Sequence, residues 1–239
     1  MPGVTVMAAA EILAMVVMAH LFGANIPVIA TPLIFSLDMR TGRCLQSSVE
    51  VLQGTSMAVQ LMKYGFGLVT HTVGVGSDTP APCPQAQAEA ALRAQLTSLS
   101  GADILGGVGQ LECATVFSPI QAILDNELGG MLNRYLQASP VDDESTAWEV
   151  LKDIELGGNF LVHEHTVRHC RNMFMPKVFQ RKDRDSYEAN NRRDVMDSAL
   201  ESYLEIMQRP LPDSVPSADQ RREIEQIVRA ADADILADT

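Results

Sequence analysis

From residue 6 to about residue 165 the chain alternates long helical runs with short apolar ones, and this alternation restricts the fold more than any other feature. The helical runs cover 6–22, 47–63, 84–100 and 119–137, each rich in Ala, Leu and Met at three- and four-residue spacing. Pro84 and Pro119 suit the first turns of the third and fourth runs. Between the helices lie "IPVIATPL" (26–33), "GLVTHTVGV" (67–75), "ADILGGVG" (102–109) and "NFLVHEH" (159–165), bounded by Gly, Asn or Pro as buried strands are. A further short helix is expected over 144–154. Strand–helix units of this size build a parallel sheet. Near-continuous apolar strands fit a sheet covered on both faces. The expected fold is therefore α/β, of the (β/α)8 TIM-barrel type. A whole barrel takes about 250 residues, so residues 1–185 read as half of one. Residues 186–239 read as a helical extension, with polar helices at 187–208 and 218–236 around the loop "RPLPDSVPSAD".

Composition narrows the partners. A net charge of -12 and a pI near 4.8 repel phosphate backbones, so nucleic acid is not an expected ligand. Cys44, Cys83, Cys113 and Cys170 are far apart with no C-x-x-C pair, which favours reduced thiols and a cytoplasmic protein. Residues 4–22, "VTVMAAAEILAMVVMAHLF", resemble a signal or membrane segment. No Lys or Arg precedes them and Glu11 interrupts them, so a buried core helix is expected, with Met7, Met15 and Met18 packed inside and no membrane partner.

In a parallel βα array the loops that follow the strands share one edge, where ligands bind. Those loops are "SLDMRTGRCLQSS" (36–48), "GVGSDTPAPCPQ" (74–85) and "GVGQLECATVFSP" (107–119), with "HEHT" closing the fourth strand. Two carboxylates, Asp78 and Glu112, each follow a Gly-rich strand end and are candidates either for site chemistry or for bracing a loop. Asp38 and Arg40 read first as a turn brace and otherwise as a substrate or partner contact. Gly76, Gly107 and Gly109 lack the G-x-G-x-x-G fingerprint, but glycine also lets a bulky planar cofactor approach the backbone. His71 lies mid-strand, as a core histidine or one facing the barrel interior. On a strand His163 and His165 share a face, and His169 follows four residues later. Imidazoles at such spacing bind metals, yet a zinc site needs further ligands from elsewhere. No metal centre is expected, and these histidines read as pocket-lining or structural. The basic cluster Arg168, Arg171, Lys177, Arg181, Lys182 and Arg184 is either a solvated surface or a docking face for an acidic partner.

Taken in order, "AAAEILAMVVMAHL", "DMRTG", "GSD", "GADILGGVGQLE", "ILDNELGGMLNRYL" and "GGNFLVHEHTVRH" resemble the trimethylamine methyltransferase family over roughly residues 5–205. The resemblance is to the carboxyl-terminal half of that family and to its non-pyrrolysine branch, which includes enzymes acting on glycine betaine. It implies transfer of a methyl group from a methylated amine to the Co(I) of a corrinoid carried on a separate protein, with no cofactor held tightly by this chain. Under that resemblance Glu112 and Asp78 are the expected catalytic carboxylates, His163, His165 and His71 the substrate-binding groups, and Gly76, Gly107 and Gly109 the glycines nearest the corrinoid. It also implies a homo-oligomer or a separate amino-terminal half as partner. Two other readings stay open: a non-catalytic half-barrel that docks such partners, and a metal-dependent lyase or hydrolase using His163 and His165.

Overall fold

The computed structural model describes residues 1–23, 26–210 and 215–237. Its elements in chain order are α1 (Pro2–Phe22), β1 (Ile29–Ala30), β2 (Ser36–Leu37), β3 (Cys44–Leu45), α2 (Val49–Gln60), β4 (Val69–Val73), α3 (Pro84–Leu99), β5 (Ile104–Gly106), β6 (Gln110–Leu111), β7 (Val116–Phe117) and α4 (Pro119–Leu136). The helices α5 (Asp143–Thr146), α6 (Trp148–Asp153), α7 (Glu164–His169), α8 (Arg184–Ala189), α9 (Val195–Gln208) and α10 (Ala218–Ala237) follow. Residues 1–203 form one compact unit and residues 204–239 a second.

The expected parallel βα order is present in the first part of the chain. Strands β1, β4 and β5 form a parallel sheet in the order β1-β4-β5. The register pairs Ile29 with Val69 and His71 with Ile104. Side chains alternate across the sheet, so Ala30, Thr70, Thr72 and Leu105 share one face. On that face Ala30, Thr70 and Thr72 are fully buried, and helices α2 and α3 pack behind β4 and β5. The other face carries Ile29, Val69, His71, Val73 and Ile104, and Ile29, Val69 and Ile104 are exposed on it. The core lies between the covered face and the helices. It joins Ala30 and Met62 to Ala9, and Val75 to Ala90, Ala94 and Leu132.

Local chemistry explains the boundaries. Ser48 caps α2 by accepting from the Val51 amide, and Ser118 caps α4 by accepting from Gln121. Pro84 and Pro119 open α3 and α4, as expected. Arg93 departs from the usual order: it lies on the buried stripe of α3 with Ala86, Ala90 and Ala94 and is only 2% exposed.

Four expectations need correction. The strand at 159–165 is absent. Phe160, Leu161 and Val162 are exposed, and the segment is closed by turns, with Asn159 Oδ1 accepting from the Leu161 amide and the Phe160 carbonyl from His163. An apolar run becomes a strand only where a ladder partner satisfies its backbone, and none lies beside it among the described residues. Second, α1 is not a core helix: Thr5 and Ala9 are buried, while Met7, Met15, Met18, Leu21 and Phe22 are exposed. By length and composition alone it could cross a membrane, but Ala9 and Ile12 join the core cluster with Met62 and Leu68. Third, the expected helix at 187–208 is broken into α8 and α9 by left-handed Asn191 and Arg192, with Asp194 accepting from the amides of Met196 and Asp197 at the new start. Fourth, Ala147, also left-handed, divides the 144–154 helix into α5 and α6. The Asp38 turn is the brace expected, accepting from the Arg40 amide and the Thr41 hydroxyl, both at 2.9 Å.

Candidate functional site

The three loops at the carboxyl ends of β1, β4 and β5 are hydrogen-bonded to one another. The β4 loop runs beside the β6–β7 hairpin: the Ser77 amide donates to Gln110 O, the Glu112 amide to Thr79 O at 2.8 Å and the Cys113 amide to Ser77 O. Asp78 reaches the segment after the β2–β3 hairpin, where its carboxylate accepts from the amides of Gln46 and Ser47, both at 2.9 Å. Gln46 Nε2 and Ser47 Oγ return bonds to the carbonyls of Ser77 and Gly76.

Beneath this junction α3 supplies two charged groups. Glu89 accepts from Ser77 Oγ at 2.7 Å and from the Asp78 amide at 2.9 Å. Arg93 donates Nε–H to Val73 O at 2.6 Å and Nη1–H to Gln46 O, so one guanidinium ties the end of β4 to the β3–α2 connection. Burial pulls Arg93 down to about 10, against the attraction of Asp78, and it stays charged at neutral pH. The helix α4 adds Asp125, which accepts from the Gly109 amide at 2.8 Å and from Gln121 Nε2 at 2.7 Å. Gln121 Oε1 in turn accepts from Gln87. Burial pushes the Asp125 carboxyl up, while those two donors pull it back.

On the rim itself Glu112 and Arg43 form an ion pair at 3.1 Å, and Thr115 Oγ1 donates to the second Glu112 oxygen at 3.2 Å. Glu112, Cys113 and Ala114 all have positive φ, at 48°, 52° and 68°. Consecutive left-handed residues without glycine are costly, of order 1 kcal/mol or more apiece, and persist only where surrounding contacts enforce them. The amide bonds of Glu112 and Cys113 to Thr79 and Ser77 are those contacts. Cys113 is pushed up to about 12, by burial first and then by the neighbouring Cys44 thiol.

The structure thus joins Asp78 and Glu112 in one loop cluster but gives them different surroundings. Both Asp78 oxygens are occupied by backbone amides, so it positions the β3–α2 connection. Glu112 is partly exposed, and its carboxylate meets solvent. Gly76, Gly107 and Gly109 have φ of +133°, +87° and +79°. A Cβ on Gly107 would run into the Val75 carbonyl, and one on Gly109 would lie 2.5 Å from Phe117. Protein therefore fills the space these two glycines leave. His71 is on the open face of the sheet, its Nε2 against Gly106.

His163 and His165 do not share a strand face. His163 caps α7, its Nδ1 accepting from the His165 amide, and the His165 ring points to the Glu144 carbonyl at 2.8 Å. That separates His163 from His165 as a ligand pair. A broad cavity of about 600 Å³ lined by Phe179, Lys182, Arg184, Tyr187 and Arg193 holds two members of the basic cluster, Lys182 and Arg184, but none of the expected catalytic, substrate-binding or corrinoid-facing residues. Arg43, Gln46, Glu89, Arg93 and Asp125 were missed by sequence reasoning. For Arg93 and Asp125 a signal exists: each is a charge on the apolar stripe of its helix, between Ala90 and Ala94 and beside Leu124.

Parallel strands with a hydrogen-bonded loop cluster at their carboxyl ends make this a mixed α/β protein. The chain belongs to the trimethylamine methyltransferase family, whose model it matches over residues 1–233. It is 28% identical to trimethylamine methyltransferase MttB of Desulfitobacterium hafniense over 86% of its own length and 41% of the relative's. It is 26% identical to trimethylamine methyltransferase MttB1 of Methanosarcina mazei over 96% of the chain and 43% of that protein. A glycine betaine methyltransferase of Desulfitobacterium hafniense is 25% identical over 89% of the chain and 44% of the relative. The chain therefore spans less than half the length of these relatives.

Proposed function

We propose that the chain provides the carboxyl-terminal half of a (β/α)8 barrel. Its loop cluster would serve a methyltransferase that moves a methyl group from trimethylamine or a quaternary amine such as glycine betaine to a corrinoid on a partner protein. The observation that carries this reading is the family match over residues 1–233, joined to a rim where Glu112 stands at the carboxyl edge of parallel strands. The open sheet face with His71 supports the barrel part, since the inner face of a closed barrel is filled from all its strands.

A corrinoid presented by a carrier protein would supply a nucleophilic Co(I) centre for the methyl group, the amine leaving with the C–N bonding pair. Little acid–base work is then asked of this chain, and its contribution is positioning. The Glu112 carboxylate is complementary to a methylated ammonium, and Arg43 holds it in place while Thr115 orients its second oxygen. Asp78, Glu89 and Arg93 fix the β4 loop and the β3–α2 connection, and the Ser77 and Thr79 carbonyls of that β4 loop hold the hairpin from which Glu112 projects. His71 lines the substrate side of the sheet.

A coupled assay tests the proposal: methylation of a Co(I) corrinoid followed by its visible spectrum, with trimethylamine and glycine betaine as donors. Transfer is expected with one of them, and Glu112→Gln is expected to raise KM about tenfold or more through lost charge complementarity. Transfer by neither amine, with or without an added amino-terminal half, contradicts it. The exposed apolar side chains on α1 and the open sheet face favour one second reading, a non-catalytic subunit that docks a partner half. It predicts binding of that half without methyl transfer.

A further inference from the structure

We propose that Glu144, His165 and His169 form a binding site for a divalent cation of the Zn²⁺ class. The site lies in the α5–α7 region, and the proposal stands independently of the methyl-transfer reading. One ligand atom from each residue lies within 4.8 Å of the others. His165 and His169 are one helical turn apart on α7, with ring centroids 4.3 Å apart. His169 Nε2 is 2.9 Å from Glu144 Oε1, and His165 Nε2 is 2.8 Å from the Glu144 carbonyl oxygen.

The local sequence builds this arrangement. His163 caps α7, which fixes where the helix begins and so puts His165 and His169 on one side of it. Asp142 caps α5 through a reciprocal bond with Ser145, and Glu144 is held in that first turn. Two imidazoles at i and i+4 with a carboxylate from another element are a donor set that borderline divalent ions prefer, usually with water completing the coordination. Zinc holds nitrogen and oxygen ligands at about 2.0–2.2 Å, so ligand atoms of a tetrahedron sit roughly 3.3 Å apart. The His169 Nε2–Glu144 Oε1 spacing of 2.9 Å is near that, and the ligand atoms all lie within 4.8 Å of one another, within reach of side-chain rotation.

The surrounding groups are consistent with the assignment. Asn172 lies 3.2 Å from His169 Nδ1, and its amide oxygen, once turned inward, accepts the Nδ1–H proton that a metallated Nε2 requires. Arg168 Nη1 is 3.1 Å from Glu144 Oε1. That guanidinium shares Oε1 with His169 Nε2 and holds the Glu144 carboxylate beside the ring. The imidazoles are half-buried and the carboxylate exposed, so the cluster is open to ions from solvent.

The test uses the untagged chain freed of metal by a chelator, titrated with Zn²⁺ by calorimetry and with Co²⁺ by visible absorption. One equivalent is expected, with Co²⁺ bands of nitrogen and oxygen ligation. Asn172→Ala should weaken binding about tenfold, and His165→Ala with His169→Ala by more than that. Circular dichroism checks that the variants fold. Should the double variant not fold, Glu144→Ala carries the same expectation, since its side chain is exposed. Cys44→Ser with Cys113→Ser should leave the affinity unchanged. Absence of stoichiometric binding, binding that survives loss of the ligands, or binding lost in the cysteine variant overturns the site.

Discussion

Arg93 is the residue on which the rim depends most. It is buried, donates to the Val73 and Gln46 carbonyls and lies close enough to Asp78 to feel its charge. Removing one member of a buried charged set leaves the rest uncompensated, at roughly 3–5 kcal/mol. Arg93→Met is therefore expected to lower the urea midpoint by a corresponding amount, and a neutral result would show that the guanidinium is dispensable. Asp125 yields a finer comparison. In Asp125→Asn the amide chain of Gln121 and Gln87 can reverse direction and keep every bond, so the cost should stay below about 1 kcal/mol. In Asp125→Ala the Gly109 amide loses its acceptor, at about 1–3 kcal/mol.

Because burial raises the Asp125 carboxyl, the folded chain holds that proton more tightly than the unfolded one. Its contribution to stability is full below the unfolded value of about 3.9 and is lost as pH rises through the folded value. Wild type should thus gain on Asp125→Asn between pH 7 and about pH 4 in urea melts, and a constant difference would refute the shift. Cys113 offers a chemical check. With its thiol held up to about 12 and partly buried, it should resist iodoacetamide under conditions where exposed Cys170 is alkylated, as read by peptide mass spectrometry.

At the scale of elements, much was legible. The periodicity located α1 to α4 and the strands β4 and β5 to within a few residues, because amphipathic spacing and proline at the first turn act locally. The carboxyl-edge loops were also legible, since order along the chain places them. What was not legible depends on distant partners. "NFLVHEH" has the composition of a strand, but no ladder partner lies beside it, so its turns and the His163 cap prevail. The apolar α1 looked like core because composition cannot say what covers a face. The left-handed turn at Glu112–Ala114 has no glycine to announce it. Asp78 and Glu112 were found by their position after glycine-rich strand ends, but which of them braces and which faces solvent depended on amides 31 and 32 residues away. Gly109→Ala probes the hairpin these contacts hold. A Cβ there meets Phe117 at 2.5 Å and at positive φ, so it should cost about 1–3 kcal/mol in a thermal melt. An unchanged Tm would mean the hairpin relaxes freely.

For the whole molecule, the open sheet face and the exposed side of α1 call for a cover. A monodisperse monomer by light scattering would argue against self-association through those surfaces. The chain spans less than half of its relatives' length, so its chemistry is best tested with both halves present. The most direct measurement is methyl transfer to a Co(I) corrinoid from trimethylamine or glycine betaine, by this chain combined with an amino-terminal half. Transfer that requires this chain and falls in Glu112→Gln is the expected result. Transfer by neither amine, or transfer equally fast with Glu112→Gln, would contradict a methyltransferase site at the Glu112 rim.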